Sequence, residues 1–121
     1  MLIGSGEHYG AVLNLDFDFA KYFEALQKDG LNVTRTFTGA GYVEPQHAFN
    51  ISKNTLAPNP GRFLAPWARS DQPGAWDGGH KWDLTRWNED YFNRFKAFVA
   101  EASKRGVVVE VTLFCPFYPD D

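Results

Sequence analysis

The sequence predicts an α/β fold on a short parallel sheet, and three features predict it. Two amphipathic stretches alternate with short β-rich ones in the order strand, helix, strand, long loop, helix, strand. Each helix passes into the next strand through a single glycine, Gly30 or Gly106. The links from strand to helix are long instead, the second above all. Two consecutive strand–helix–strand units make a parallel sheet. Loops concentrated after the strands are what a (β/α)8 barrel shows, because its active site is built there. A doubly wound sheet gives the same asymmetry, although no Gly-x-Gly-x-x-Gly phosphate loop follows the first strand.

Residues 1 to 6 read as a short strand running into the Gly4-Ser5-Gly6 turn. Asp16 or Asp18 can cap the first helix, since a short carboxylate accepts the free N–H groups there. Phe19, Tyr22, Phe23 and Leu26 recur at i, i+3, i+4 and i+7 and form one apolar face. Gly30 stands where a left-handed C-terminal residue is expected. Leu31 to Phe37 is short and β-branched, a strand. Thr38 to Arg86 is rich in Pro and Gly without strong periodicity, which predicts a long loop. The second helix opens on Asn88, with Glu89 and Asp90 on the positive end of its dipole. Its stripe is Phe92, Phe95, Phe98, Val99 and Ala102, and Gly106 ends it. Val107 to Phe114 is almost continuously apolar, the pattern of a strand covered on both faces.

The 121 residues carry a net charge of −3, a pI near 5.5 and 17% aromatics. That composition suits one domain with a packed core. The absence of a basic run argues against nucleic acid, and no stretch approaches the roughly 20 apolar residues of a membrane span. Met1 to Ser5 does not read as a signal peptide, so a cytoplasmic location is the default expectation, or secretion if an upstream signal has been lost. The single cysteine, Cys115, reads as a packed thiol. No C-x-x-C or H-E-x-x-H pattern suggests a metal, and no cofactor is expected.

Gly30-Leu31-Asn32-Val33-Thr34-Arg35 resembles the Gly-x-Asn-x-x-Arg segment on the second strand of the cellulase-like, clan A type glycoside hydrolases. Phe92 to Arg105, then Gly106-Val107-Val108-Val109, resembles the clan's second helix and third strand. Ser5-Gly6-Glu7-His8-Tyr9-Gly10 is similar to the opening of cellulase-family proteins. The resemblance implies the N-terminal part of a (β/α)8 TIM barrel: about three parallel strands, two main helices and a long loop after strand two. Residues 1–121 then form one partial domain that continues beyond residue 121. It further implies a retaining two-carboxylate hydrolase of β-linked glycans or glycosides, whose Glu pair lies on strands four and seven, outside this chain. Asn88-Glu89 is not that clan's acid/base pair, because it opens a helix. Where many members carry a His after the third strand, this chain has Phe114-Cys115.

Arg35 is the candidate with a supporting catalytic role: in the resembled clan the matching Arg hydrogen-bonds the nucleophilic Glu and keeps it ionised. An ion pair with Glu110 on the next strand is the structural alternative. Glu7, His8 and Tyr9 follow the first strand and offer sugar hydroxyls an acceptor, a ring nitrogen and a platform. Trp67, Arg69, Trp76, His80 and Trp82 lie on the long loop. Flat rings suit the C–H faces of pyranoses, although such a cluster also forms small cores under loops. Phe114 and Tyr118, after the third strand, complete the substrate-binding set. Glu44, Asp77, Asp120 and Asp121 read as solvated loop charges, and Trp87 as a packing residue at the helix start. The expected partner is a carbohydrate substrate. The alternative is a non-catalytic carbohydrate-binding or self-associating barrel fragment, joined through exposed sheet edges.

Overall fold

A computed structural model describes residues 1–7, 11–38, 57–75 and 77–113, with the side chains of residues 5–7 left undescribed. Its elements are β1 (Gly4–Glu7), a single 3-10 turn (Ala11–Leu13), α1 (Phe19–Lys28), β2 (Val33–Phe37), β3 (Trp67–Pro73), β4 (His80–Trp87), α2 (Glu89–Lys104) and β5 (Val108–Thr112). Strands β1, β2 and β5 form a parallel sheet in that order, and β3 and β4 form a separate antiparallel pair. The fold is mixed α/β. No helix among the described residues is long and apolar enough to cross a membrane.

The two helix-to-strand links are built alike. Leu31 N–H donates to Leu26 O at 2.8 Å and Gly30 N–H to Gln27 O at 3.2 Å; Val107 and Gly106 repeat this on Ala102 and Ser103 at 2.9 and 3.1 Å. Both glycines are left-handed, with φ of 72° and 68°. This paired six-to-one and five-to-two bonding satisfies the last helix carbonyls and turns the chain straight into the sheet. Asn32 then clips the sheet edge. Its Oδ1 accepts from Ile3 N at 2.7 Å, its Nδ2 donates to Met1 O at 3.2 Å, and its carbonyl accepts from Val108 N at 2.8 Å. The Asn of the Gly-x-Asn-x-x-Arg segment thus ties β2 to both neighbours.

Of the two cap candidates, Asp18 caps α1 by accepting from Lys21 N at 3.1 Å. Asp16 instead binds Asn59 and Arg62. Asn88 caps α2 through Asp90 N at 3.2 Å. The core joins Val12, Leu13, Phe23, Leu26, Leu64, Tyr91, Phe98, Ala102 and Val107. Phe23 and Phe98 are fully buried with ring centroids 4.9 Å apart, and each contributes about 1.5–3 kcal/mol by burial. Thr34 and Thr36 are buried on β2, and Thr34 Oγ1 is satisfied by Tyr22 Oη at 2.6 Å.

Three expectations are corrected. The stretch from Thr38 to Arg86 is not all loop, since it contains β3 and β4. Those strands are mostly polar, so no apolar alternation announces them. The apolar last strand is not covered on both faces: Val109 packs on the core, but Val108 is 49% exposed. Parallel register sets Val33, Arg35 and Phe37 beside Val108, Glu110 and Thr112 on that second face. On α2, Val99 is exposed and Tyr91 is buried in its place, because the stripe that meets the core runs Tyr91, Phe95, Phe98, Ala102.

Candidate functional site

Strands β2 and β5 run the same way, so Phe37 and Thr112 end side by side. From there the chain leaves the sheet and returns to it. Thr38 N donates to Thr112 O at 3.2 Å, and Tyr91 Oη, in the first turn of α2, donates to Thr38 O at 2.6 Å. The β3–β4 hairpin is inserted between these points, so it belongs to the C-terminal end of the parallel strands. Asn88 fixes its base: Asn88 N donates to Pro66 O at 2.8 Å and Nδ2 to Ala65 O at 3.1 Å.

The hairpin is closed by polar chemistry. Gly74 N and Ala75 N both donate to Gly79 O, and Gly78 N donates to Ala75 O. Arg69, on β3, spans the turn. Its Nη1 donates to Asp77 Oδ1 at 3.2 Å and to His80 O at 2.6 Å, and its Nη2 donates to Asp77 Oδ2. Two parallel N–H···O bonds of this kind fix a guanidinium in plane as well as in place. That plane lies over Trp82, 4.1 Å from the ring centroid, a cation–π contact. Trp82 in turn meets Phe63 edge to face, with centroids 5.9 Å apart. The result is one stack, Asp77, Arg69, Trp82, Phe63. Ser70 Oγ donates to Lys81 O at 2.9 Å and Arg86 Nη2 to Arg69 O at 2.7 Å, further fastening the strands.

A cleft of about 630 Å³ opens between this hairpin and residues 60–65, and Leu15 reaches it from the segment before α1. That size lies within the ~300–1,000 Å³ of small-molecule sites. Trp67, Arg69, His80 and Trp82 all line it, so the structure gathers four of the substrate-binding candidates in one place. Trp76, His8, Tyr9, Phe114 and Tyr118 lie outside the described residues. Glu7 pairs with Arg35 in strand register, and its side chain is not described. Trp87, read as a packing residue, rests edge-on against Phe92 but is 64% exposed.

Within the cleft, His80 Nδ1 stands 2.9 Å from Ser70 O. A carbonyl only accepts, so Nδ1 carries the proton and Nε2 is the acceptor of the neutral ring. Among the described lining residues Asp77 is the one carboxylate. It is not the solvated loop charge expected of it: its side chain is 6% exposed and both oxygens are engaged by Arg69, with Gly79 N on Oδ1 at 3.2 Å. An acid so occupied suits holding the wall of a binding cleft better than proton transfer. Among the described residues no group of three or more His, Cys, Asp or Glu is placed to hold a metal.

Arg35 lies on the sheet, not in the cleft. Its Nη2 is 2.9 Å from Glu110 Oε1 and 3.2 Å from Oε2, the alternative the sequence offered. Both side chains are about half exposed, so the pair contributes at most about 1 kcal/mol.

Two further clusters fasten the loop at Arg62 and the segment around Leu15, and no sequence spacing links their members. Asp16 accepts from Asn59 N at 2.8 Å, Asn59 Nδ2 at 3.0 Å and Arg62 Nε at 2.8 Å, anchoring the loop that forms one wall. The backbone N–H of Asn59, then the Arg62 side chain, hold its carboxyl below the ordinary value of 3.8. Arg94, on α2, donates from Nε to Leu13 O at 2.8 Å and from Nη2 to Asn14 O and Phe17 O at 2.5 and 2.7 Å. Burial, then the nearby Arg62 charge, lowers its pKa.

Residues 55–115 match the model of a family described as a domain of unknown function, DUF6298. No curated protein and no solved structure matches the chain. The matched span covers 61 of the 121 residues and takes in the hairpin, α2, β5 and every cleft residue but Leu15. The chain therefore belongs to the DUF6298 family.

Proposed function

We propose that this chain is the N-terminal portion of a (β/α)8 glycoside hydrolase of the cellulase-like type, acting on a β-linked glycan or glycoside. In this reading the retaining pair of Glu residues lies outside the chain, and the described residues supply glycan contacts. One observation carries it: an aromatic cleft, lined by Trp67, Phe63 and Trp82 and edged by Arg69 and His80, sits at the C-terminal end of the parallel strands. That is the end where a barrel builds its site. The consecutive order β1-β2-β5 and the resemblance of Gly30 to Arg35 support the same reading. The Arg35–Glu110 pair then faces the barrel interior, where Arg35 would meet the nucleophile.

Intrinsic tryptophan fluorescence titrated with β-1,4- and β-1,3-linked gluco-oligosaccharides tests this. Binding without hydrolysis is expected, and Trp82→Ala should weaken it by about 1–2 kcal/mol, or roughly 5–30-fold. No response to any β-linked oligosaccharide would sink the glycan reading. Turnover of an aryl glycoside by the chain itself would sink the placement of the carboxylate pair.

A further inference from the structure

Arg69 is the only full positive charge among the described residues lining the cleft, and Asp77 cancels it. The two are joined by a two-pronged pair, with Asp77 nearly buried and Arg69 34% exposed. A ligand entering the cleft thus meets a cation already neutralised by the protein's own carboxylate. We propose that Asp77 is a specificity-determining residue: by neutralising Arg69 it makes the cleft select neutral over anionic sugars. This rests on the glycan reading given above.

Neutral pyranoses present C–H faces to aromatic rings and hydroxyls to single polar atoms, here His80 Nε2 and the guanidinium edge that Asp77 leaves open. A uronate also brings a carboxylate. That carboxylate can gain from Arg69 only by displacing Asp77, whose desolvated charge would then be left unpaired, and such a charge is costly to bury. Approach without displacement sets it against Asp77 itself, a like-charge contact. Both routes penalise the anion, so discrimination comes from the carboxylate of the protein and not from the aromatic floor.

The test compares cellohexaose with the β-1,4-linked hexaglucuronate, which differs only at C6, by calorimetry on the full chain. The wild type should bind cellohexaose at least about tenfold more tightly, with little salt dependence. Asp77→Asn leaves Arg69 uncompensated. It should narrow or invert that ratio by about tenfold or more, through a gain in hexaglucuronate affinity that high salt removes. The Arg69→Gln, Asp77→Asn double variant carries neither charge and should not show the gain. An unchanged ratio in folded D77N overturns the proposal. So does a wild type that binds hexaglucuronate as tightly as cellohexaose, a comparison that decides the matter even if D77N does not fold. Failure of the wild type to bind cellohexaose or any other neutral β-linked oligosaccharide refutes the underlying glycan reading instead.

Discussion

Replacing Arg94 with Ala should cost this chain a large part of its stability. The side chain lies on α2 but serves residues 77 to 81 positions earlier, donating to the carbonyls of Leu13, Asn14 and Phe17. Those carbonyls lie at the end of the 3-10 turn and in the segment after it, where no helix or sheet ladder donates to them and Asn14 O and Phe17 O accept local N–H groups of Phe17 and Phe19. Bonds from a charged donor are worth about 1.5–3 kcal/mol each when buried. Arg94 is only partly buried, so the ordinary value of about 1 kcal/mol per bond is the better guide. Its guanidinium also lies 5.0 Å from the Phe19 ring centroid, which adds about 0.5 kcal/mol. The sum is about 3.5 kcal/mol, against a total of ~5–15 kcal/mol for a domain. With a urea m-value on the order of 1.5 kcal/mol/M, the midpoint should fall by about 2 M at unchanged m. Arg94→Lys should recover about 1 kcal/mol, because an ammonium is a point donor and cannot span three carbonyls. A midpoint within about 0.3 M of the wild type for Arg94→Ala would refute the reasoning, since it would mean water replaces all three bonds without loss.

Two pH predictions follow from the same physics. The Asp16 carboxyl is depressed by Asn59 N–H and Arg62, so its contribution is fully present above the ordinary value of 3.8 and is lost as pH falls through the folded value. Urea midpoints measured below about pH 4 should therefore fall more steeply for the wild type than for Asp16→Asn, and superimposable profiles would reject the role given to this clamp. Burial pushes the Tyr91 phenol up from 10.0 to about 12. The folded state keeps its proton while the unfolded chain loses it, so stability declines as pH rises from 10 toward 12. Tyr91→Phe should lack that alkaline slope and lose about 1 kcal/mol at neutral pH with the bond to Thr38 O; an alkaline slope that persists in the variant counts against the assignment.

What could be read from the sequence is what local chemistry determines. Asn88, Gly30 and Gly106 mark helix ends by their own conformational preferences, and the Phe19-to-Leu26 face shows its period directly. The Arg35–Glu110 pair was also readable, because two parallel strands that start at matching glycine links come into register. The hairpin was not readable. Trp67–Pro73 and His80–Trp87 alternate too few apolar residues, and their register breaks twice, with Leu84 to Arg86 bulged out of the pairing. Aromatic content alone did bring Trp67, Arg69, His80 and Trp82 forward as candidates, and they meet in the cleft. Asp77 was misread as solvated because its burial depends on Arg69 lying across the turn. Arg94 was passed over for the same reason: its partners lie 77 to 81 positions earlier in the chain, and no spacing rule connects them.

The hairpin also bears on how the chain reaches its fold. Arg35 and Glu110 are 75 residues apart, whereas Ser70 and Lys81 are separated by 11. Hairpins close in about 1–10 μs, so β3–β4 can form long before β2 finds β5. Once the hairpin and α2 are folded, the flexible length between the two parallel strands is roughly halved. Halving a loop reduces its closure cost by only about 0.6 kcal/mol. The early hairpin therefore gives the distant pairing little help, and the parallel sheet remains the slow step. Pulsed hydrogen exchange during refolding should find the Gly74 and Ala75 amides, which donate to Gly79 O, protected before those of Thr38 and Val108, which bond across the parallel pair.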